Sequence, residues 1–170
     1  HATESLAAVG VVTAFLSMLI WVLGQSRSAI SSIVSQYVGA NKINEVKDLP
    51  IQAIAIILLI SAVVCVITYP FSRSIFSLYN ASGLLLDYSV SYYKIRVIGL
   101  PFTLYVFAVF GVFRGPQNTY YPMKIAISGA TINILLDFVL VYGIKDWFLP
   151  LNLQGAAIAS VLSQFLMAIL

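Results

Sequence analysis

The sequence predicts an all-α, polytopic bundle of membrane-spanning helices, and three observations carry that prediction. The 170 residues are 61% hydrophobic, with a mean hydropathy of +0.98. Only 9% are charged, against about a quarter in an ordinary soluble domain. The apolar residues gather into five long runs, most of them near the roughly 20 residues that a helix needs to cross the hydrocarbon core.

The same composition excludes other classes. The net charge of +3 is spread over loops and helix ends, with no basic run that would point to nucleic acid. The single cysteine, Cys65, lies in an apolar run, so it forms no disulfide framework within the chain and reads as a small core residue. The chain opens at His1 without a methionine and ends at Leu170 inside an apolar run; both ends read as cuts in a longer protein. The first run is too long for a signal peptide and has no basic region before it.

The first span covers residues 5–39, longer than the bilayer requires, with Arg27 as its only charge. It is expected to tilt or to project into the cytosol. Gly24, Ser28, Ser32, Ser35 and Gly39 recur every three or four residues, a stripe of small side chains expected to pack against another helix, or else to line a cavity. Residues 41–50 form a polar turn. The second span, 51–69, carries no charge and is expected to stop at Pro70. Residues 71–87 mix Arg73, aromatics and Gly83, and read as an interfacial loop or short surface helix. The third span, 88–113, opens with Tyr92, Tyr93, Lys94 and Arg96 and is expected to kink at Gly99 and Pro101, because proline removes a backbone donor. Lys94 and Arg96 read as contacts to lipid headgroups. Residues 114–121 make a tight polar connection to the fourth span, 122–144. Residues 145–154 are another loop, and the fifth span runs from 155 to 170.

Loop charge orients the bundle. Lys42, Lys47, Arg114 and Lys124 lie on one side; Arg73 and Lys145, with Lys94 and Arg96 near the third span's end, lie on the other. The first set goes to the cytoplasm. Tyr120, Tyr121, Trp147 and Phe148 fit interfacial aromatic belts.

Asp137 is the only acid inside any of the long apolar runs, and Asn133 lies four residues before it, on the same helix face. An ionised carboxylate away from water is costly, so it is expected to be paired, protonated or bound to a cation. The competing reading is structural: a carboxyl hydrogen-bonded to Asn133 that only ties two helices together.

Four segments together resemble the multidrug and toxic compound extrusion (MATE) family of efflux transporters, in its DinF-like branch. They are Ser35-Gln36-Tyr37-Val38-Gly39-Ala40, Phe113-Arg114-Gly115-Pro116-Gln117-Asn118-Thr119, the stretch Asn133 to Asp137, and Gly155-Ala156-Ala157-Ile158-Ala159-Ser160. The resemblance covers essentially the whole chain. It implies five spans of a six-helix amino-terminal lobe, residues 1–170, with the first helix and the carboxy-terminal lobe lying outside this sequence. It further implies a multi-pass protein of the plasma (inner) membrane, not an enzyme, that exports amphipathic or cationic compounds in exchange for protons or sodium ions. Its partners are then the lipid bilayer and those small substrates, and it needs no cofactor beyond the coupling ion.

Carried over by position, Asp137 matches the carboxylate that takes the coupling cation, and Asn133 its amide partner. Ser160 keeps the hydroxyl of a common threonine, Ala156 matches a position offering a backbone carbonyl, and Tyr92 matches a cavity-facing tyrosine. Two departures stand out. Phe138 replaces a frequent proline after the aspartate, and the absent first helix carries a second essential aspartate in that branch.

The chemistry is coherent on its own terms. Carboxylate, amide, hydroxyl and carbonyl oxygens are hard ligands that suit a small cation such as sodium. The same carboxylate accepts a proton, and either event neutralises the site. Ser160, near a helix start, equally fits packing or capping. Tyr92 fits an interfacial anchor as well as a cavity wall. Arg27 either snorkels to a phosphate headgroup or contacts a cavity. Competing functions are a lipid-linked precursor flippase, whose cavity should be strongly basic, and a non-transporting membrane scaffold. An intramembrane enzyme would need a nucleophile–base pair or a second acid facing Asp137, and the sequence offers neither.

Overall fold

The computed structural model describes residues 2–143 and 151–170, so Lys145, Trp147 and Phe148 lie outside the described residues. The described residues form helices α1 (Ala2–Gly24), α2 (Ser26–Gly39), α3 (Leu49–Leu78), α4 (Gly83–Arg96), α5 (Leu100–Arg114), α6 (Tyr120–Tyr142) and α7 (Asn152–Ile169). Five stretches are long and apolar enough to cross a membrane: Thr3–Gly39, Leu49–Leu78, Gly83–Arg114, Tyr120–Tyr142 and Asn152–Ile169. The protein is a multi-pass membrane bundle. Four helices end with a residue at positive φ, Asn41 after α2, Asn80 after α3, Gln117 after α5 and Gly143 after α6. At each end a backbone bond closes back over the last turn, as in Lys42 N–H to the Tyr37 carbonyl.

The second span does not stop at Pro70. α3 continues for 30 residues to Leu78, and Gly83 already opens α4, so the expected interfacial loop is a helical hairpin joined at residues 79–82. The reason lies in the solvent. Leaving the helix at Pro70 would expose several backbone groups to hydrocarbon, whereas staying helical forfeits only the bond that proline cannot donate. Packing holds the extension. Phe76 is fully buried, with its ring 5.9 Å from Phe15 and 5.2 Å from Tyr93, both edge to face. The Tyr93 hydroxyl donates to Thr68 Oγ1 at 2.6 Å.

The third span breaks where Gly99 and Pro101 predict. α4 ends at Arg96, a 3₁₀ turn covers Val97–Gly99, and α5 starts with proline in its first turn. Pro101 has no N–H to offer the Val97 carbonyl, four residues earlier. The Leu100 N–H and the Cys65 thiol, at 3.3 Å, donate to that carbonyl instead. Cys65 is half-buried and does more than fill space.

The small-residue stripe on the first span behaves differently from expectation. Ser28, Ser32, Ser35 and Gly39 are exposed among the described residues, and only Gly24 is buried, against Phe107. Close approach comes from the partner helix. A Cβ on Gly111 would sit 2.7 Å from the Arg27 carbonyl, and one on Gly115 would strike Val34. Gly111 and Gly115 are a glycine pair four apart, the spacing that lets helix backbones meet in lipid. α6 and α7 pack by the same device: Gly129 lies under Met167, and Gly155 lies against the Leu140 carbonyl.

Candidate functional site

The 3₁₀ turn between α4 and α5 falls in the middle of the apolar span Gly83–Arg114. A cavity of about 410 Å³ lies there, walled by α5, α6 and α7. Its polar lining is Arg96, Thr103, Asn133, Ser160, Ser163 and Gln164, and its apolar lining includes Phe107, Phe110 and Met167. Gly99 makes room for one of these groups, since any Cβ there would overlap the Gln164 amide.

Two of the residues singled out from sequence, Asn133 and Ser160, meet in this cavity from neighbouring helices. Asp137 lies one turn beyond Asn133, half-buried and outside the lining itself. Its carboxylate lies within electrostatic range of Arg96 and Tyr92 on α4. Tyr92 is buried and contacts Arg96, four residues on along the same helix face. Ala156 lies one turn before Ser160 on α7, half-buried, and does not line the cavity. The expected bond between Asn133 and Asp137 is not formed: the Asn133 Nδ2 is buried without a partner. That argues against a purely structural amide–carboxyl clip.

Arg27 is placed elsewhere. It lines a separate cavity of about 250 Å³ with Ile20, Trp21, Gly24, Gln25 and Phe107, and its guanidinium lies 5.0 Å from the centre of the Phe107 ring. Phe107 belongs to both linings and stands between the two cavities.

Arg96 is the residue that sequence reasoning misplaced. It is not at a headgroup but in the central cavity, where its Nε and Nη1 are buried without partners. Lys94, two positions earlier, points elsewhere and sits 5.4 Å from the centre of the Tyr69 ring. The missed signal was periodicity. Residues two apart on a helix diverge by about 200°, whereas residues four apart share a face, so a cavity-facing Tyr92 carries Arg96 with it. Thr103, Ser163 and Gln164 were missed as well, since nothing in their spacing marks them.

A 3₁₀ turn within a membrane span, a polar cavity beside it and an acid within electrostatic reach make up the site. Residues 2–139 match the MatE family, and the chain belongs to it. Relatives include the multidrug export protein MepA of Staphylococcus haemolyticus, 33% identical over 62% of this chain and 22% of that protein. The DNA damage-inducible protein F of Escherichia coli is 26% identical over 90% of this chain and 32% of its own length. A protein of Shewanella oneidensis named as an FAD transporter is 27% identical over 95% of this chain and 35% of its own. The chain thus spans about a third or less of these relatives. Among solved structures, a MATE protein in its bent conformation superposes with a TM-score of 0.90 at 22% identity, over 98% of this chain and 36% of that one, a likeness of fold.

Proposed function

We propose that the full-length protein is a cation-coupled antiporter of the plasma membrane that exports amphipathic or cationic compounds, and that this chain forms five helices of its amino-terminal lobe. The observation that carries the reading is Asp137: the one acid within the long apolar runs, half-buried one turn from the cavity-lining Asn133 and within electrostatic range of Arg96. Binding of a proton or a sodium ion neutralises it, with Asn133 and Ser160 as the nearest cavity-lining oxygen donors and the Ala156 carbonyl a turn away. Neutralisation removes the cost of holding a carboxylate out of water, and so biases the helix that carries it toward a different arrangement. The break at residues 97–99 gives the bundle a joint at which such a bias can act.

The MepA relative favours drug-like substrates. The scaffold alternative predicts that Asp137 is dispensable. The test is ethidium efflux from cells expressing the full-length protein. With Asp137→Asn, efflux should fall at least tenfold, about 1.4 kcal/mol or more in coupling, while the amount of protein in the membrane stays the same. Efflux at the wild-type rate sinks the coupling role. Collapsing the proton and sodium gradients one at a time then identifies the ion.

A further inference from the structure

The central cavity holds a positive charge whose hydrogen-bonding capacity the fold uses only in part, through Tyr92. Among the described residues, Arg96 is the only charged side chain lining it. Its Nε and Nη1 have no partner and no contact with solvent, and neither does the Asn133 Nδ2 across the cavity. Asp137 interacts with Arg96 electrostatically, yet the ion pairs among the described residues are elsewhere, Lys42–Glu45 and Arg73–Asp87. Outside α5, the remaining α-helical charges are Glu4 on α1, Arg27 on α2, Arg73 on α3, Asp87 and Lys94 on α4 and Lys124 on α6. α7 contributes none, α5 contributes Arg114 at its carboxyl end, and Tyr105 of α5 lines a different cavity with Tyr121.

A guanidinium with idle donors in a partly dry cavity calls for an oxyanion. Its free N–H groups can give charge-assisted hydrogen bonds to a carboxylate, sulfonate or phosphate ester. Asn133 supplies a further unpartnered donor, and Phe107, Phe110 and Met167 an apolar wall. The geometry points to an anion subsite at Arg96 that takes the single oxyanion group of an amphipathic compound.

This subsite has a consequence for coupling, and that consequence rests on the reading of Asp137 given above. The ionised Asp137 carboxylate competes with the compound's oxyanion for Arg96. Neutralising Asp137 with a proton or sodium releases the guanidinium, so the coupling ion and an anionic compound bind cooperatively. An organic cation instead competes with the coupling ion. Linkage makes both effects reciprocal. One cavity therefore handles the two classes of compound with opposite signs of coupling.

The test uses purified full-length protein in lipid nanodiscs and two probes with one aromatic body, pyrene sulfonate and a pyrenyl trimethylammonium. Both carry fixed charges, so pH acts only on the protein. Lowering pH or adding sodium should tighten the sulfonate and weaken the ammonium. Arg96→Gln should weaken the sulfonate by roughly tenfold to a hundredfold, the worth of charge-assisted hydrogen bonds, and tighten the ammonium. Arg96→Lys should restore part of the sulfonate affinity. Sulfonate binding that ignores Arg96→Gln overturns the subsite. If that variant does not fold, the wild-type sign decides: sulfonate affinity that falls or stays level on acidification overturns it equally. Sulfonate binding that is absent from the wild-type protein or indifferent to Arg96→Gln, with ethidium efflux still dependent on Asp137, removes the subsite and leaves the antiporter reading intact; efflux indifferent to Asp137 does the reverse.

Discussion

On one side of the bundle, Phe15 of α1, Phe76 of α3, Tyr79 just after it and Tyr93 of α4 meet edge to face, with ring centres 5.2 to 6.3 Å apart and the Tyr93 hydroxyl satisfied by Thr68. On the other, α5, α6 and α7 leave a cavity of about 410 Å³ whose polar groups, Arg96, Asn133 and Gln164, keep unpartnered atoms. α4 belongs to both sides: Tyr93 closes the aromatic core, while Arg96, three residues later, opens onto the cavity. Rigid packing on one side lets polar groups stand idle on the other, since a loose bundle would let them find each other. The two sides should therefore respond to mutation in different currencies, the first in stability and the second in binding.

The sharpest way to break that contrast is to hollow the packed side. Phe76→Ala removes the ring at the centre of the cluster. Apolar burial drives little between helices in lipid, so the loss is mainly packing and the void left behind. A cost near the lower end of the about 3–5 kcal/mol seen for buried Phe→Ala follows, read as a lower melting temperature of the full-length protein in detergent. Ethidium binding per folded molecule should be unchanged. A binding defect as large as the stability defect would show that the two sides are not separable.

A smaller effect comes from the seam that positions the cavity walls. Gly155 lies against the Leu140 carbonyl, a backbone atom that cannot swing aside. Leu140 also accepts the Leu151 N–H at 3.0 Å, tying the start of α7 to α6. Gly155→Val should cost about 1–3 kcal/mol through overpacking. Because it prises α6 from α7, it should also separate Asn133 from Ser160 and weaken ethidium binding. Unlike Phe76→Ala, it is expected to move both readouts, and a change in melting temperature alone would argue that the seam does not set the cavity.

How much of this was legible in the sequence depended on which solvent imposed the rule. The five spans and the break at Gly99–Pro101 were readable because hydrocarbon forbids unpaired backbone, and the sequence must comply in composition. Pro70 misled for the same reason: the rule that ends helices in water is overridden where leaving the helix costs more than one lost bond. Direction around a helix was harder. α4 carries polar residues on several faces, so hydropathy did not separate Arg96 from Lys94, although the Tyr92 spacing did. The stripe on the first span was chosen for its small residues, whereas the contact is made by Gly111 and Gly115, two glycines equally visible in the sequence.

The smallest effect tests the joint between the two sides. Pro101 leaves the Val97 carbonyl short of its usual helical donor, and the Cys65 thiol reaches it from α3, on the packed side. Cys65→Ala removes that donor and leaves the carbonyl with the Leu100 N–H alone. A thiol is a weak donor, so the loss should be about 0.5–1.5 kcal/mol at most. Cys65→Ser keeps a hydroxyl donor of similar size and should recover most of it. The discriminating readout is the cavity rather than the melting temperature. If the thiol fixes the angle at which α4 hands over to α5, Cys65→Ala should shift the affinity for a bound dye while Cys65→Ser does not. If both variants lose stability equally and neither touches binding, Cys65 is packing alone, and the break at residues 97–99 is held by proline and glycine without help from α3.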